Sequence, residues 1–109
     1  MPHITVDYTA TLDFDRRAFI EELHPMVREQ SATRGVCKTL CRAVESHSDG
    51  PHACVAHVTI GLMPGRTEAV KARLADDALA LLGKHITTPG TVTSAEVRDL
   101  PTSYRIHTP

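Results

Sequence analysis

The chain has 109 residues, 41% hydrophobic and 23% charged, with a formal net charge of -1. That length suits one domain spanning 1–109, able to bury a core. The near-neutral charge, with no Trp, two Tyr and two Phe, excludes the basic, aromatic surface that nucleic acid requires, and no apolar run approaches the ~20 residues needed to span a bilayer.

From Pro2 to Tyr8 the residues alternate, with Ile4, Val6 and Tyr8 on one face and His3, Thr5 and Asp7 on the other. Period two predicts a strand, and its start at Pro2 pins that residue to a sheet. Asp13 or Asp15 then offers an N-cap. Phe19, Ile20, Leu23, Met26 and Val27 form one helical stripe, which Pro25 is expected to bend. Arg34-Gly35 is expected to close the helix with a basic last turn and a C′ glycine.

Val36–Val44 reads as a second strand, with Val36, Leu40 and Val44 sharing a face with Lys38 and Arg42. A loop over 46–51 follows, carrying Asp49-Gly50-Pro51. Cys54–Met63 is a third strand and the most apolar, with Cys54, Ala56, Val58, Ile60 and Leu62 on one side. Pro64-Gly65 turns the chain into a helix over Arg66–His85, whose inner face is Val70, Leu74, Ala78, Leu81 and Leu82. Gly83, unfavourable in a helix interior by ~1 kcal/mol, marks where fraying begins. Thr91–Leu100 is a fourth, weaker strand, and 101–109 reads as loop.

The order is strand-helix-strand, twice. Each unit implies parallel neighbours joined by a right-handed crossover. The predicted fold is α/β (α+β): a duplicated β-α-β arrangement, with a four-stranded mixed sheet carrying both helices on one face. The opposite face, read as apolar because Val55 lies opposite Val58 and Ile60, needs cover. Burial against further copies predicts a homo-oligomer.

Met1-Pro2-His3-Ile4, Glu22-Leu23-His24-Pro25, Leu40-Cys41-Arg42, Val55-Ala56-His57-Val58-Thr59-Ile60 and Gly65-Arg66, in this order on this layout, resemble the 5-carboxymethyl-2-hydroxymuconate delta-isomerases of the tautomerase superfamily. The likeness runs from Met1 to about Leu100. It implies a cofactor-free homotrimeric isomerase acting on a small carboxylated enol or unsaturated keto acid. It also implies that the proline exposed by removal of Met1 moves the proton, and that arginines hold the carboxylates.

The chemistry of the residues agrees with that role for Pro2. Removal of Met1 leaves a secondary amine; an α-amino group titrates near ~8 before perturbation, and burial or a nearby cation lowers that value. An amine neutral at pH 7 accepts a proton and returns it elsewhere on the same substrate. Arg42, a charge inside a strand, reads either as a bidentate carboxylate clamp or as an interface ion pair. Arg66, in the first turn of the second helix against the dipole, reads as an anion holder or as a plain exposed arginine. Lys38 shares Arg42's face and is either a second carboxylate contact or a solvated strand residue. His57 matches the family's histidine in the third strand and is read as core or interface structure.

Seven histidines and three cysteines invite a metal reading, but Cys37 and Cys41 lie roughly 13 Å apart along one strand, too far to share a tetrahedral ion. No metal site is expected. The opening lacks the basic and apolar regions of a signal peptide. An odd set of cysteines reads as reduced thiols, which predicts a cytoplasmic protein.

Overall fold

The computed structural model describes residues Met1–Pro109. Its elements are β1 (His3–Thr9), α1 (Arg16–Ser31), β2 (Lys38–Val44), β3 (Val55–Leu62), α2 (Glu68–Lys84) and β4 (Val92–Asp99). The four strands form one sheet in the order β2-β1-β3-β4. β1 runs parallel to β2, β3 runs parallel to β4, and the two halves meet where β1 pairs antiparallel with β3. The duplicated β-α-β layout and the mixed sheet are as the periodicities predict.

The alternation of β1 sends Ile4 and Val6 into full burial. Ala56, Val58, Ile60 and Leu62 of β3 do the same beside them. Phe19, Leu23 and Val27 of α1 and Leu74, Ala78 and Leu82 of α2 close over these strands in one cluster of 16 buried residues. Both helices therefore cover the same face. Each fully buried aliphatic or aromatic side chain contributes about 1.5–3 kcal/mol.

Helix α1 starts where the Asp15 carboxylate accepts from the Ala18 N–H at 3.1 Å. Pro25 stands inside α1 without ending it. It and Glu21, whose carbonyl loses its partner, are both exposed, so water can reach the freed oxygen. The end of the helix differs from expectation. It stops at Ser31, not at Arg34-Gly35, and Ala32 takes the left-handed conformation at φ 53°. The Ala32 N–H donates to Glu29 O at 3.3 Å and the Thr33 N–H to Arg28 O at 3.0 Å, the bonding of a Schellman motif. A side chain from outside holds this end in place. Arg66 donates from Nε and Nη2 to Ser31 O at 3.0 and 2.7 Å, satisfying a carbonyl that the helix leaves open.

Helix α2 begins later than Arg66. Thr67 is its N-cap, its hydroxyl accepting from the Val70 N–H at 3.2 Å. Arg66 thus precedes the helix and does not sit in its first turn. The helix continues through Gly83 to Lys84. Beyond it, Glu22 of α1 receives Lys84 Nζ at 2.8 Å and is also bonded by His85, and these partners hold its carboxyl below the ordinary value.

The face of the sheet away from the helices also departs from the prediction. The register brings Arg42, Asp7, His57 and Ser94 into one row across the strands. Leu40, Thr5, Thr59 and Glu96 form the next, and Lys38, His3, Gly61 and Arg98 the third. This face is polar and charged, not apolar. Val55 is followed on it by His57, Thr59 and Gly61, so β3 is amphipathic across its length. The need to bury an apolar sheet face therefore does not arise.

His24 on α1 meets the Thr39 hydroxyl at 2.7 Å. Burial, with Arg28 nearby, pushes its imidazole below the ordinary value. A histidine held neutral in the fold but free to protonate when unfolded penalises the fold in acid. Its effect is absent above the unfolded value near ~6.5 and grows as pH falls through the lower folded value. Stability in urea should therefore begin to drop as pH falls below about 6.5, and His24→Gln should shrink that drop. An unchanged drop would place its origin elsewhere.

Candidate active site

Pro2 lies at the head of the central strand β1, next to the start of β2, and its carbonyl accepts from the Lys38 N–H at 3.5 Å. Its side chain is fully buried. Burial follows from the same alternation that buries Ile4 and Val6, since the even-numbered residues of this segment point under the helices. Met1, which precedes it, lines a cavity of about 720 Å³. That volume is within the range of small-molecule sites.

The other walls come from three places. His3 stands at the start of β1. Val36, Cys37 and Lys38 form the entry to β2. Tyr104, Ile106 and His107 belong to the carboxy-terminal tail, which folds back across this end of the sheet. Val36 is 74% exposed and Ile106 52% exposed, so the cavity offers apolar wall surface to a ligand. Lys38 is part of this wall and makes no ion pair. Cys37 is buried, and burial pushes its thiol above the ordinary value, which leaves it a weak nucleophile.

The other two basic residues singled out from the sequence lie elsewhere. Arg42 is on the open sheet face, four residues along β2 from Lys38, roughly 13 Å at the strand rise. It grips Asp7 of β1 in a bidentate pair, Nε to Oδ1 at 2.7 Å and Nη2 to Oδ2 at 2.9 Å. Asp7 raises the guanidinium pKa further. The ion-pair alternative for Arg42 thus has a partner within the same chain. Arg66 spends its guanidinium on Ser31 O, on Met63 O at 3.0 Å and on the Thr33 hydroxyl at 3.1 Å. It is a brace between the end of α1 and the β3–α2 turn. Of the predicted residues, Pro2 and Lys38 are joined by a backbone hydrogen bond, and Lys38 alone lines the cavity, Pro2 lying buried behind Met1.

His57 is not a core residue. It lies half-buried on the open face, its Nδ1 bonded to the Ser94 hydroxyl at 2.6 Å and its Nε2 3.5 Å from Glu96. The tail residues Tyr104, Ile106 and His107 were missed, because 101–109 has no periodicity and nothing local marks it as a wall. The one available signal is that Tyr104 and Ile106 are large apolar residues in an otherwise polar tail. A second hollow, of about 610 Å³, lies between the start of α1 and Cys41. It holds Asp15 and Glu21 beside Arg16 and Arg17, so its charges cancel and it has no group poised for proton transfer.

No protein-family model matches the chain, and no curated protein matches it in sequence. Solved structures do match it in shape. The crystal structure of a 5-carboxymethyl-2-hydroxymuconate isomerase from Deinococcus radiodurans R1 superposes with a TM-score of 0.76 at 18% identity, over 98% of this chain and 90% of that one. A macrophage migration inhibitory factor-like protein from Entamoeba histolytica gives 0.70 at 13% identity, over 98% and 95%. A fused 4-OT symmetric trimer gives 0.70 at 12% identity, over 90% and 86%. The chain has the fold of these three structures. No helix is long and apolar enough to cross a membrane.

Proposed function

We propose that this chain is a cofactor-independent isomerase that moves a proton within a small carboxylated enol, with Pro2 as the base once Met1 is removed. The observation that carries this reading is the position of Pro2: fully buried, heading the central strand, with Met1 and Lys38 on the wall of an apolar cavity of about 720 Å³. The fold shared with a hydroxymuconate isomerase supports it.

Loss of Met1 converts the Pro2 nitrogen from an amide into a secondary amine and opens it toward the space that Met1 lines. The low-polarity surroundings and the Lys38 ammonium both favour its neutral form. The substrate of this reading is a 2-hydroxydienoate of the 5-carboxymethyl-2-hydroxymuconate kind. The amine takes the 2-hydroxyl proton, the oxygen electrons close the carbonyl, and the diene electrons shift toward carbon. The resulting ammonium returns the same proton to that carbon. The product is the unsaturated ketone, with no net change in charge or oxidation state. Lys38 holds a substrate carboxylate, and Val36 and Ile106 offer apolar surface to the rest of the substrate. The working form of this proposal is a cytoplasmic homotrimer, with substrate bound between subunits.

A second reading differs in substrate. Lys38 is the one Lys or Arg side chain on the cavity wall, while Arg42 and Arg66 are engaged elsewhere. This arrangement favours an enol with a single carboxylate, of the phenylpyruvate kind. A non-catalytic ligand-binding role is the remaining alternative, and it predicts that Met1 persists.

Ultraviolet assays of ketonisation on mono- and dicarboxylated dienols separate these readings. Protein verified by mass to have lost Met1 should be active, and protein retaining Met1 inactive. Activity confined to monocarboxylates would select the second reading, and no activity in the mature protein would remove both enzymatic ones. Lys38→Met should raise KM by roughly tenfold, the scale of one charge-assisted carboxylate contact, with little change in kcat. An unchanged KM would remove Lys38 from the site.

A further inference from the structure

We propose that the open face of the sheet holds a second binding site, for one small oxyanion, beside β1, β3 and β4. A cleft of about 210 Å³ there is lined by His3, Thr5, Arg42, Thr59 and Arg98, with Gly61 and Leu100 completing it. It is separate from the cavity at Pro2, and His3 stands between the two. The volume falls below the usual range for organic substrates. It suits a phosphate, a sulfate or a lone carboxylate group.

The lining offers two guanidiniums, an imidazole and the Thr5 hydroxyl, with no carboxylate among them, while the Thr59 hydroxyl on the same wall donates to Glu96. Arg98 makes no hydrogen bond and no ion pair. Arg42 commits Nε and Nη2 to Asp7, which leaves Nη1 open. Of the acids on this face, Asp7 is spent on Arg42, and Glu96 is held by the Thr59 hydroxyl at 3.3 Å and faces His57 at 3.5 Å. The row Lys38–His3–Gly61–Arg98 has cations at both ends and nothing acidic between them. An oxyanion relieves that imbalance, and a guanidinium fork can hold it bidentately.

Gly61 gives the cleft its apolar wall. A Cβ at this position would meet Leu100 Cδ2 at 2.6 Å. Only the bare glycine lets Leu100 lie against the strand there and shield one side from water. Shielding strengthens the charge interactions within the cleft.

Calorimetric titration of the assembled wild-type protein with inorganic phosphate, at fixed chloride to hold screening constant, tests this site. The expected result is saturable binding of one phosphate per chain with Kd near or below about 1 mM, accompanied by NMR shifts at His3 and Thr59. Arg98→Gln should weaken binding by roughly tenfold or more, and Arg98→Lys by less. Arg105→Gln, in the tail and outside the cleft, should leave binding unchanged. Acetate titrated in place of phosphate identifies the occupant: tighter acetate assigns a carboxylate, tighter phosphate a phosphate group. The Arg98 side chain makes no hydrogen bond and no ion pair, so the melting temperature of its variants should match wild type and confirm their folding. Absence of saturable binding by phosphate, sulfate and acetate overturns the proposal. Equal weakening by Arg98→Gln and Arg105→Gln also overturns it, since that result describes diffuse surface attraction.

Discussion

Replacing Pro2 with Ala in the mature protein should lower kcat for enol ketonisation by roughly 10²–10⁴-fold, the range associated with a positioned general base. The variant keeps an α-amine, so the result reads the quality of the base and not its mere presence. Alanine supplies a primary amine on a freely rotating bond. Proline supplies a secondary amine whose ring fixes φ and whose side chain is fully buried. KM should change little, because the proposed carboxylate contact comes from Lys38. Removal of Met1 has to be confirmed by mass in both proteins, since a retained methionine abolishes the amine in either. A variant with wild-type kcat would end the proline-base reading and leave the cavity as a binding site. A rise in KM at constant kcat would make Pro2 a wall residue.

Arg66→Met should destabilise the fold by about 1.5–3 kcal/mol, the scale of hydrogen bonds made by a charged group. The side chain donates to two backbone carbonyls and a hydroxyl, and its loss leaves the Ser31 carbonyl without an external donor. Ala32 would then hold its left-handed conformation, which costs an L-residue roughly 1–2 kcal/mol, without that support. The melting temperature should fall by about 10 °C for a domain of this size. Activity per folded molecule should survive. Unchanged stability with a large loss of kcat/KM would restore the substrate-clamp role that the position of Arg66 after Pro64-Gly65 invites. Methionine keeps much of the apolar stem, so the comparison isolates the guanidinium.

These two positions show what local pattern can and cannot reveal. Pro2 was legible because the alternation that predicts β1 begins with it. Its burial follows from the phase shared with Ile4 and Val6. Arg66 was legible as an unusual charge near a helix start, but its partner Ser31 is 35 residues away. No spacing rule connects the end of one helix to the approach of the next. The same distance separates Arg42 from Asp7. They meet only because β1 and β2 pair in a register that sets them side by side. A one-residue slip in that register would turn Arg42 under the helices.

The polar character of the open face was written in the alternation of β3. Judging that face from Val55 alone hid His57, Thr59 and Gly61. Its charge balance needed all four strands in order, because each row draws one residue from each strand. The end of α1 was misplaced for a related reason. Gly35 is the better left-handed residue by intrinsic preference, yet Ala32 takes that conformation where Arg66 braces the preceding carbonyl.

By itself, the sequence determined the order of the elements, the faces that become core, and Pro2's place at the head of a strand. Periods of 2 and 3.6 are local properties, and burial of their apolar phases leaves little choice. The tertiary structure alone decided which charges are spent on one another, where α1 stops, and that Tyr104, Ile106 and His107 return to wall the cavity beside Met1 and Lys38. Those outcomes depend on strand register and on contacts between residues far apart in the chain, which no window along it contains.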